Sequence, residues 1–262
     1  RTRGARVVPP RMFWPFQVSP AGPRVVRLLR GDIASHQAEA IAVSANPHLE
    51  GTLRSNYWRF SGRSNADGAV RLAGGRSLAD ATAKLRQRVG ELAPESAVVG
   101  RAGHSLSARW VVHCVAPDAL ARTADEHEAY VLDPASYDRG LCRRLETTYS
   151  AAISAATEAG ASSLAVPALG CGIRGFARDQ AASAAFRAAA AWLQSDSTTC
   201  LRRLDFVILA DDVWDEWPRH AHAQLGPPDA GSTGVMKGRE EKEKHTWSHV
   251  ACAACSVTLA SH

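Results

Sequence analysis

Short apolar runs alternate with longer segments of helical periodicity over most of the chain, and this alternation restricts the possible folds more than any other feature. The apolar runs, which we predict to be strands, are residues 24–29, 40–44, 96–99, 110–115, 164–168 and 204–210. The segments predicted to be helices are residues 67–85, 137–159, 179–193 and 212–225. Strands that alternate with helices are typical of a parallel or mixed sheet between helical layers. The sequence therefore predicts an α/β fold with a mixed, largely parallel sheet covered by helices.

Composition separates a central domain from two flanking segments. Residues 1–23 contain Arg and Pro but no acidic residue, and residues 227–262 include Gly, Ser and a run of mixed charge. We predict that both segments are disordered and that residues 24–226 form a single domain. The acid-free segment 1–23 also fits the remnant of an organelle transit peptide.

Charge and hydropathy disfavour two classes of partner. The formal net charge is +5, but seven Arg and no acidic residue lie within residues 1–31. Because the positive charge lies largely outside the domain, nucleic acid is not an expected partner. No apolar run reaches the length of about 18 residues that a spanning helix needs, so no membrane partner is expected. The six cysteines, mostly single within apolar segments, are typical of an intracellular protein, in a compartment that the sequence leaves open.

The carboxyl-terminal segment contains side chains of the types that bind zinc. They are His245, His249, Cys252 and Cys255. The spacers between them are shorter than in zinc sites whose ligand pairs come from two separate elements. We therefore predict no metal site, and we predict no cofactor.

A glycine-rich motif lies between a predicted strand and a predicted helix. Residues 170–175 read Gly-Cys-Gly-Ile-Arg-Gly, after the strand 164–168 and before the helix 179–193. Backbone N–H groups of such a loop, with the positive end of the helix, can hold a phosphate or diphosphate. An ordinary turn without a ligand is the alternative. A dinucleotide-binding Rossmann domain has this motif after its first strand, whereas several strands precede it here, so that class is disfavoured.

Two other predicted strands end at polar residues. Asp32 follows the strand 24–29, and Asn46 follows the strand 40–44. The carboxyl ends of parallel strands form the crevice in which α/β proteins bind nucleotides. Asp32 can equally cap a short turn. The sequence therefore predicts a ligand crevice at this edge of the sheet.

Six segments together resemble the macro domain family, in particular its branch of ADP-ribosyl hydrolases and O-acetyl-ADP-ribose deacetylases. In chain order they read RLLRGDI, AIAVSAN, ADGAVRLAGG, WVVHCVAP, AVPALGCGIRGF and FVILADDVW. Their order and spacing carry the resemblance, which spans Arg24 to about Leu225. It implies a three-layer α/β/α sandwich with a mixed sheet.

The resemblance also implies a ligand, ADP-ribose, and a role for individual residues. Asp32 corresponds to the acceptor of the adenine amino group, with Ile33 beside the base. Asn46 corresponds to a contact with the distal ribose, and Asp67 to a carboxylate that orients or deprotonates a water molecule, so these two are the predicted catalytic residues. The loop around the diphosphate corresponds to Gly170, Cys171, Gly172, Ile173, Arg174, Gly175 and Phe176, the last beside the ribose.

The chain departs from the family pattern between its two predicted catalytic residues. Asn46 and Asp67 lie 21 positions apart, roughly twice the usual separation, because residues 47–66 replace a run of glycines. This insertion carries Arg and aromatic residues, which fit either a lid that contacts phosphate or an elaborated surface loop. Ser44 stands in place of a usual Asn, and Arg174 in place of an aromatic residue. Binding should tolerate these changes better than catalysis.

Two functions of different classes follow from the resemblance. The first is an enzyme that hydrolyses an ester at the distal ribose of ADP-ribose, on mono-ADP-ribosylated proteins or on O-acetyl-ADP-ribose. Asn46 and Asp67 favour it. The second is a reader module that binds ADP-ribose without turnover, and the lost glycines favour it. A binder of RNA or poly-adenylate is disfavoured by the charge of the domain.

Overall fold

The computed structural model describes residues 13–17, 24–51, 65–195 and 199–226, which contain one sheet with helices on both of its faces. The strands are β1 (Phe13–Gln17), β2 (Val25–Arg30), β3 (Ala40–Ser44), β4 (Ser96–Arg101), β5 (Trp110–Val115), β6 (Ser163–Val166) and β7 (Arg203–Ile208). The helices are α1 (Ala66–Val89), α2 (Ala124–Leu132), α3 (Pro134–Glu158), α4 (Arg178–Gln194), α5 (Asp211–Trp214) and α6 (Trp217–Leu225). A 3-10 turn, Ile33–Ser35, follows β2.

The seven strands have the spatial order β1-β2-β7-β6-β3-β5-β4. The inner pairings are parallel, and the outer pairings of β1 with β2 and of β4 with β5 are antiparallel. The predicted mixed, largely parallel sheet is therefore confirmed. Because the five inner strands run in one direction, the loops that follow them lie along the same edge of the sheet.

Helices α3, α4 and α6 cover one face of the sheet and enclose an aromatic core. Phe206 of β7 makes edge-to-face contacts with Tyr149, Phe186 and Trp217, one from each helix, at ring-centroid distances of 6.1, 5.0 and 5.5 Å. All four side chains are buried. Aromatic pairs in this geometry stabilise a core beyond the effect of burial alone.

Helix α1 packs on the opposite face of the sheet. Since alternate residues of a strand point to opposite faces, Ile41 and Val43 of β3 contact the layer that contains Val70 and Leu78 of α1. The helix bends at Gly75, whose φ of 54° and ψ of −147° leave the helical range. Helices thus cover both faces, and the predicted three-layer α/β/α sandwich is confirmed.

Residues 13–17 correct part of the prediction for the amino-terminal segment. They form β1 at the edge of the sheet, antiparallel to β2, with Pro15 opposite Arg27. An edge strand tolerates proline because only one of its sides pairs with a neighbour. The prediction of disorder for residues 1–23 is therefore wrong for these five residues, and the other residues of that segment lie outside the described residues.

Two helical regions differ from the prediction: α2 was not predicted, and the helix 212–225 is divided. Helix α2 buries no residue, so no apolar stripe marks it in the sequence, and it begins at a capping box between Thr123 and Glu126. The predicted helix 212–225 consists of two helices, α5 and α6. Pro218 lies in the first turn of α6, where proline is compatible with the start of a helix but not with its continuation.

The carboxyl-terminal segment 227–262, with its four residues of zinc-binding type, lies outside the described residues. Within the part of the chain that the structure describes, no group of three or more His, Cys, Asp or Glu side chains is arranged to hold a metal ion. No helix of the described ranges combines the length and apolar character that crossing a bilayer requires.

Candidate functional site

A pocket with a volume of about 440 Å³ opens at the carboxyl ends of β2, β3, β6 and β7. Nine of the predicted site residues line it, namely Asp32, Ile33, Asn46, Asp67, Gly170, Cys171, Gly172, Ile173 and Arg174. They come from the ends of three parallel strands and from the first turn of α1. The crevice expected at this edge of the sheet is therefore present in the fold.

Residues 167–177, which we call the glycine loop, connect β6 to α4 and form one side of the pocket. Gly170 has a φ of 87°, and its carbonyl accepts a hydrogen bond from the N–H of Phe176 at 3.1 Å. Three successive backbone N–H groups, those of Gly172, Ile173 and Arg174, donate no hydrogen bond to the described residues. Helix α4 follows directly, with no side-chain cap on its N-terminus. Unbonded N–H groups and a helix N-terminus together favour an anion.

Phe176 and Gly175 complete the glycine loop but do not line the pocket. The side chain of Phe176 is only 4% exposed, and a Cβ placed on Gly170 would lie 2.9 Å from its ring. Phe176 therefore packs beneath the loop as part of the hydrophobic core, and its place beside the ribose stays a prediction. Gly175, with a φ of 71°, lies against the side chain of Leu120.

Asp32 and Ile33 follow β2 and line the pocket where the 3-10 turn packs near α1. Oδ1 of Asp32 accepts a hydrogen bond from the N–H of Ala34 at 2.9 Å, so this residue caps the 3-10 turn. Its side chain is nevertheless exposed along the pocket, beside the buried Ile33. Both readings of Asp32 from the sequence are thus compatible with the structure. The adjoining apolar surface comes from Val207, Ile208, Leu209, Ala210 and Val213.

Asn46 begins a tight turn after β3. Its Oδ1 accepts a hydrogen bond from the N–H of Glu50 at 2.9 Å, and Leu49 has a φ of 53°. This side chain is partly exposed and lines the pocket. With one oxygen engaged in the turn, the amide nitrogen is the group left to donate toward a ligand.

Asp67 lies in the first turn of α1, whose N-terminus is capped by Asn65 through a hydrogen bond to the N–H of Gly68 at 2.6 Å. In that cap the Oδ1 of Asn65 is the acceptor and the Gly68 N–H the donor. A carboxylate in this position interacts favourably with the helix dipole. Nε of Arg71 donates to both oxygens of Asp67, at 2.9 and 3.1 Å. The residue is 4% exposed and lines the pocket, so a buried, paired carboxylate faces the same cavity as the Asn46 amide.

Comparison with known proteins identifies the family. The sequence model described as the macro domain matches residues 44–185, which is more than half of the chain. The chain belongs to the macro domain family. This macro domain is 31% identical over 160 residues to a protein of Enterobacter cloacae named O-acetyl-ADP-ribose deacetylase, covering 61% of the chain and 74% of that protein. It is 32% identical over 164 residues to a macro domain-containing protein of Streptomyces griseus, covering 62% and 77%.

Solved structures show the same fold. A macrodomain of Oceanobacillus iheyensis solved with ADP has a TM-score of 0.62 at 17% identity, covering 80% of this chain and 96% of that chain. A macrodomain of Trypanosoma brucei in complex with ADP has a TM-score of 0.54 at 19% identity, covering 74% and 68%. At these identities the similarity concerns the fold alone.

The described residues on both sides of segment 52–64, within the insertion of this macro domain, lie at the pocket. Gly51 precedes that segment, Asn65 follows it, and both line the cavity. Residues 52–64 lie outside the described residues, so the choice between lid and surface loop stays a prediction. The additional length does not prevent Asn46 and Asp67 from reaching one pocket.

Two residues of the site were not anticipated from the sequence. Arg71 pairs with Asp67, and the spacing of four residues on a helix was a signal for this pair. Asp118 accepts a hydrogen bond from Arg174 of the glycine loop at 3.1 Å. No pattern in the sequence indicated that contact, because 56 positions separate its partners.

Two further side chains near the site are unsuited to act as a nucleophile or a base. Burial raises the pKa of the Cys171 thiol to about 12, although this residue lines the pocket. Burial is the main cause that lowers the pKa of His113 to about 4, and the positive charge of Arg71 is the second. The thiol is thus protonated and the imidazole neutral at neutral pH.

Proposed function

We propose that this macro domain binds ADP-ribose in the pocket and hydrolyses an ester at the distal ribose of the ligand. One observation carries the proposal: a loop with three N–H groups unbonded within the described structure, the amide of Asn46 and the carboxylate of Asp67 share one cavity. The family relation to proteins named O-acetyl-ADP-ribose deacetylase supports the same class of reaction.

The glycine loop suits the diphosphate of the ligand. Successive N–H groups can each donate to a phosphate oxygen, and the N-terminus of α4 adds a favourable electrostatic field. A Cβ on Gly172 would meet no atom within 4 Å, so the backbone is open to close approach by a ligand.

The end of the pocket near β2 and β7 suits adenine. Ile33 and the apolar residues after β7 can pack against the faces of the base. The Asp32 carboxylate has one oxygen bonded to Ala34, and its second oxygen can accept a hydrogen bond from the adenine amino group.

The reaction is proposed at the end of the pocket formed by Asn46 and Asp67. The Asn46 amide donates to a hydroxyl of the distal ribose, and Asp67 orients the attacking water. Water cleaves the ester so that a carboxylic acid and ADP-ribose are formed, with the ribose hydroxyl restored by a proton of water. The acid, acetate from O-acetyl-ADP-ribose or a side-chain carboxylate of a modified protein, ionises at neutral pH. This hydrolysis requires only water and no cofactor.

A direct experiment tests binding and turnover separately. Titration calorimetry with free ADP-ribose should give a dissociation constant in the micromolar range, about −8 kcal/mol, and weaker binding of AMP, which lacks the second phosphate and the distal ribose. Incubation with O-acetyl-ADP-ribose and with a mono-ADP-ribosylated protein should release free ADP-ribose. Absence of heat and of competition at millimolar ADP-ribose would contradict the binding half of the proposal.

A reader module is the second candidate, and one observation favours it. Arg71 already donates to both carboxylate oxygens of Asp67, so each oxygen has one lone pair fewer with which to orient a water molecule. A reader would bind ADP-ribose with the same affinity but release none from either substrate. The turnover assay therefore separates the two candidates.

A further inference from the structure

The ion pair between Asp67 and Arg71 is buried at the wall of the pocket. The side chain of Asp67 is 5% exposed and that of Arg71 is 12% exposed. One donor, Nε, bonds to both carboxylate oxygens, at 2.9 and 3.1 Å, so the guanidinium restricts the rotation of the carboxylate. Asp67 lines the pocket, whereas Arg71 is not among the described residues that do.

Arg71 also contacts the turn that begins with Asn46. Its Nη2 donates to the carbonyl of Leu49 at 3.4 Å. A Cβ placed on Gly51 would lie 2.2 Å from Nε of Arg71, so the absence of a side chain at Gly51 provides the space for the guanidinium. The same turn is closed by the hydrogen bond from the N–H of Glu50 to Asn46. A single side chain thus connects α1 to the turn after β3.

The surroundings of the pair strengthen its interactions. His113 of β5 is 2% exposed and lies close enough to Arg71 and Asp67 for their charges to affect its pKa. Its Nδ1 has no hydrogen-bond partner within the described structure. A neutral imidazole and an apolar layer screen charges far less than water, so the pair is held more firmly than one on the surface.

We infer that Arg71 is a positioning residue, which fixes the orientation of the Asp67 carboxylate and its placement relative to Asn46. The inference rests on the proposed hydrolase function. The two predicted catalytic residues belong to different elements, the turn after β3 and helix α1, so a side chain that contacts both elements can set their relative placement. The planar guanidinium does so, by bonding to Asp67 on one side and to Leu49 on the other.

The test replaces Arg71 by Met, which keeps the length of the stem and removes the guanidinium. Arg71→Met should lower kcat at least about tenfold and leave KM and the affinity for ADP-ribose within about threefold, since misplacement acts on the transition state. Arg71→Lys, which keeps the positive charge but not the planar guanidinium, should have a kcat between those of Arg71→Met and the wild type. The matched control is Arg76→Met, which breaks a pair of the same spacing on α1, with Asp80, at a side chain that is 94% exposed. It should leave kcat unchanged.

A second comparison guards against simple loss of folding. Arg71→Met leaves a buried carboxylate without its partner, so thermal unfolding is measured alongside turnover. The double variant Asp67→Asn/Arg71→Met removes both charges. If Arg71 acts through Asp67, the double variant should have the same kcat as Asp67→Asn. A further loss that multiplies the two single effects would overturn the inference, as would an Arg71→Met variant whose kcat is unchanged or raised.

Failure of the hydrolase function can be told apart from failure of this inference. If the wild-type protein binds ADP-ribose but turns over neither substrate, the hydrolase proposal is wrong. The placement of Asn46 is then judged from its side-chain amide resonance in ligand-free, ¹⁵N-labelled protein. Arg71→Met should move this resonance and Arg76→Met should not. An unmoved resonance in Arg71→Met would overturn the positioning role, whatever the protein does to ADP-ribose.

Discussion

Arg174 of the glycine loop donates a hydrogen bond from Nη1 to Oδ2 of Asp118, at 3.1 Å. The backbone repeats the connection, because the N–H of Ala119 donates to the carbonyl of Arg174 at 2.8 Å. Next to them, Leu120 lies against Gly175. The segment after β5 therefore stabilises the half of the glycine loop that carries the unbonded N–H groups. A loop ordered before the ligand arrives loses less conformational entropy on binding.

The first prediction concerns this contact. Asp118→Ala should weaken ADP-ribose binding about three- to tenfold, because the loop must then be ordered at the expense of binding energy. Glu128→Ala, which removes an exposed carboxylate from α2, is the control and should leave affinity unchanged. Calorimetry on both variants provides the measurement. Equal affinities for the two would mean that the backbone contact of Ala119 is sufficient.

Two glycines of the loop should respond in opposite ways to substitution. Gly172→Glu should weaken ADP-ribose binding at least about a hundredfold, or about 2.7 kcal/mol, because it adds a like charge where the diphosphate is proposed to lie. Its melting temperature should change little, since a Cβ there meets no atom within 4 Å. Gly170→Ala should instead lower the melting temperature, since its φ is 87° and its Cβ would lie 2.9 Å from the Phe176 ring. Normal binding by Gly172→Glu would show that the ligand lies elsewhere.

Asp32→Asn separates the two roles of Asp32. Asparagine retains an oxygen that can cap the 3-10 turn, so stability should be preserved. The charged acceptor for the adenine amino group is lost, and ADP-ribose binding should weaken by about 1 to 3 kcal/mol. Calorimetry and thermal unfolding of one sample give both quantities. Unchanged affinity would leave Asp32 with its capping role alone.

The pH dependence of stability should carry a contribution from His113. Burial lowers the pKa of His113 in the folded protein to about 4, below the ordinary value of 6.5, so only the unfolded state gains this proton as the pH falls from about 6.5 to about 4. The free energy of unfolding should therefore decrease over this window, by roughly 3 kcal/mol from this group, and the effect should level off below it. His113→Leu removes the group, so its stability relative to wild type should rise as the pH falls. Chemical denaturation at pH 7.5 and 4.5 measures the difference.

The parallel core of the fold could be predicted from the sequence because its strands are buried on both faces and read as apolar runs. The location of the site followed from the same fact, since Asp32, Asn46 and the glycine loop all follow parallel strands. Helix α2 could not be predicted in this way, because none of its side chains is buried.

The burial of Phe176 could not be predicted for a related reason. An aromatic residue next to a glycine motif suits either a ligand or the core, and its packing against Gly170 depends on the tertiary structure. Of the two contacts of Arg71, only one could be predicted from the sequence. Its spacing from Asp67 predicts an ion pair, but its contact with Leu49 depends on the approach of α1 to the turn after β3. Long-range contacts of this kind have no local signature in the sequence.

The last prediction addresses catalysis through substitutions that preserve the local hydrogen bonds of the site. Asp67→Asn keeps an oxygen for Nε of Arg71, and Asn46→Asp keeps an oxygen for the N–H of Glu50, so neither should disturb the backbone. Asp67→Asn should lower kcat at least about tenfold with affinity within about threefold, because orienting a water stabilises the transition state rather than the bound ligand. Asn46→Asp should lower both kcat and affinity, since the lost amide is assigned to the ribose itself. Release of ADP-ribose from O-acetyl-ADP-ribose and calorimetry with ADP-ribose distinguish the two patterns. If Asp67→Asn retains full kcat while Gly172→Glu abolishes binding, the pocket is correct, but water is oriented by a group other than Asp67.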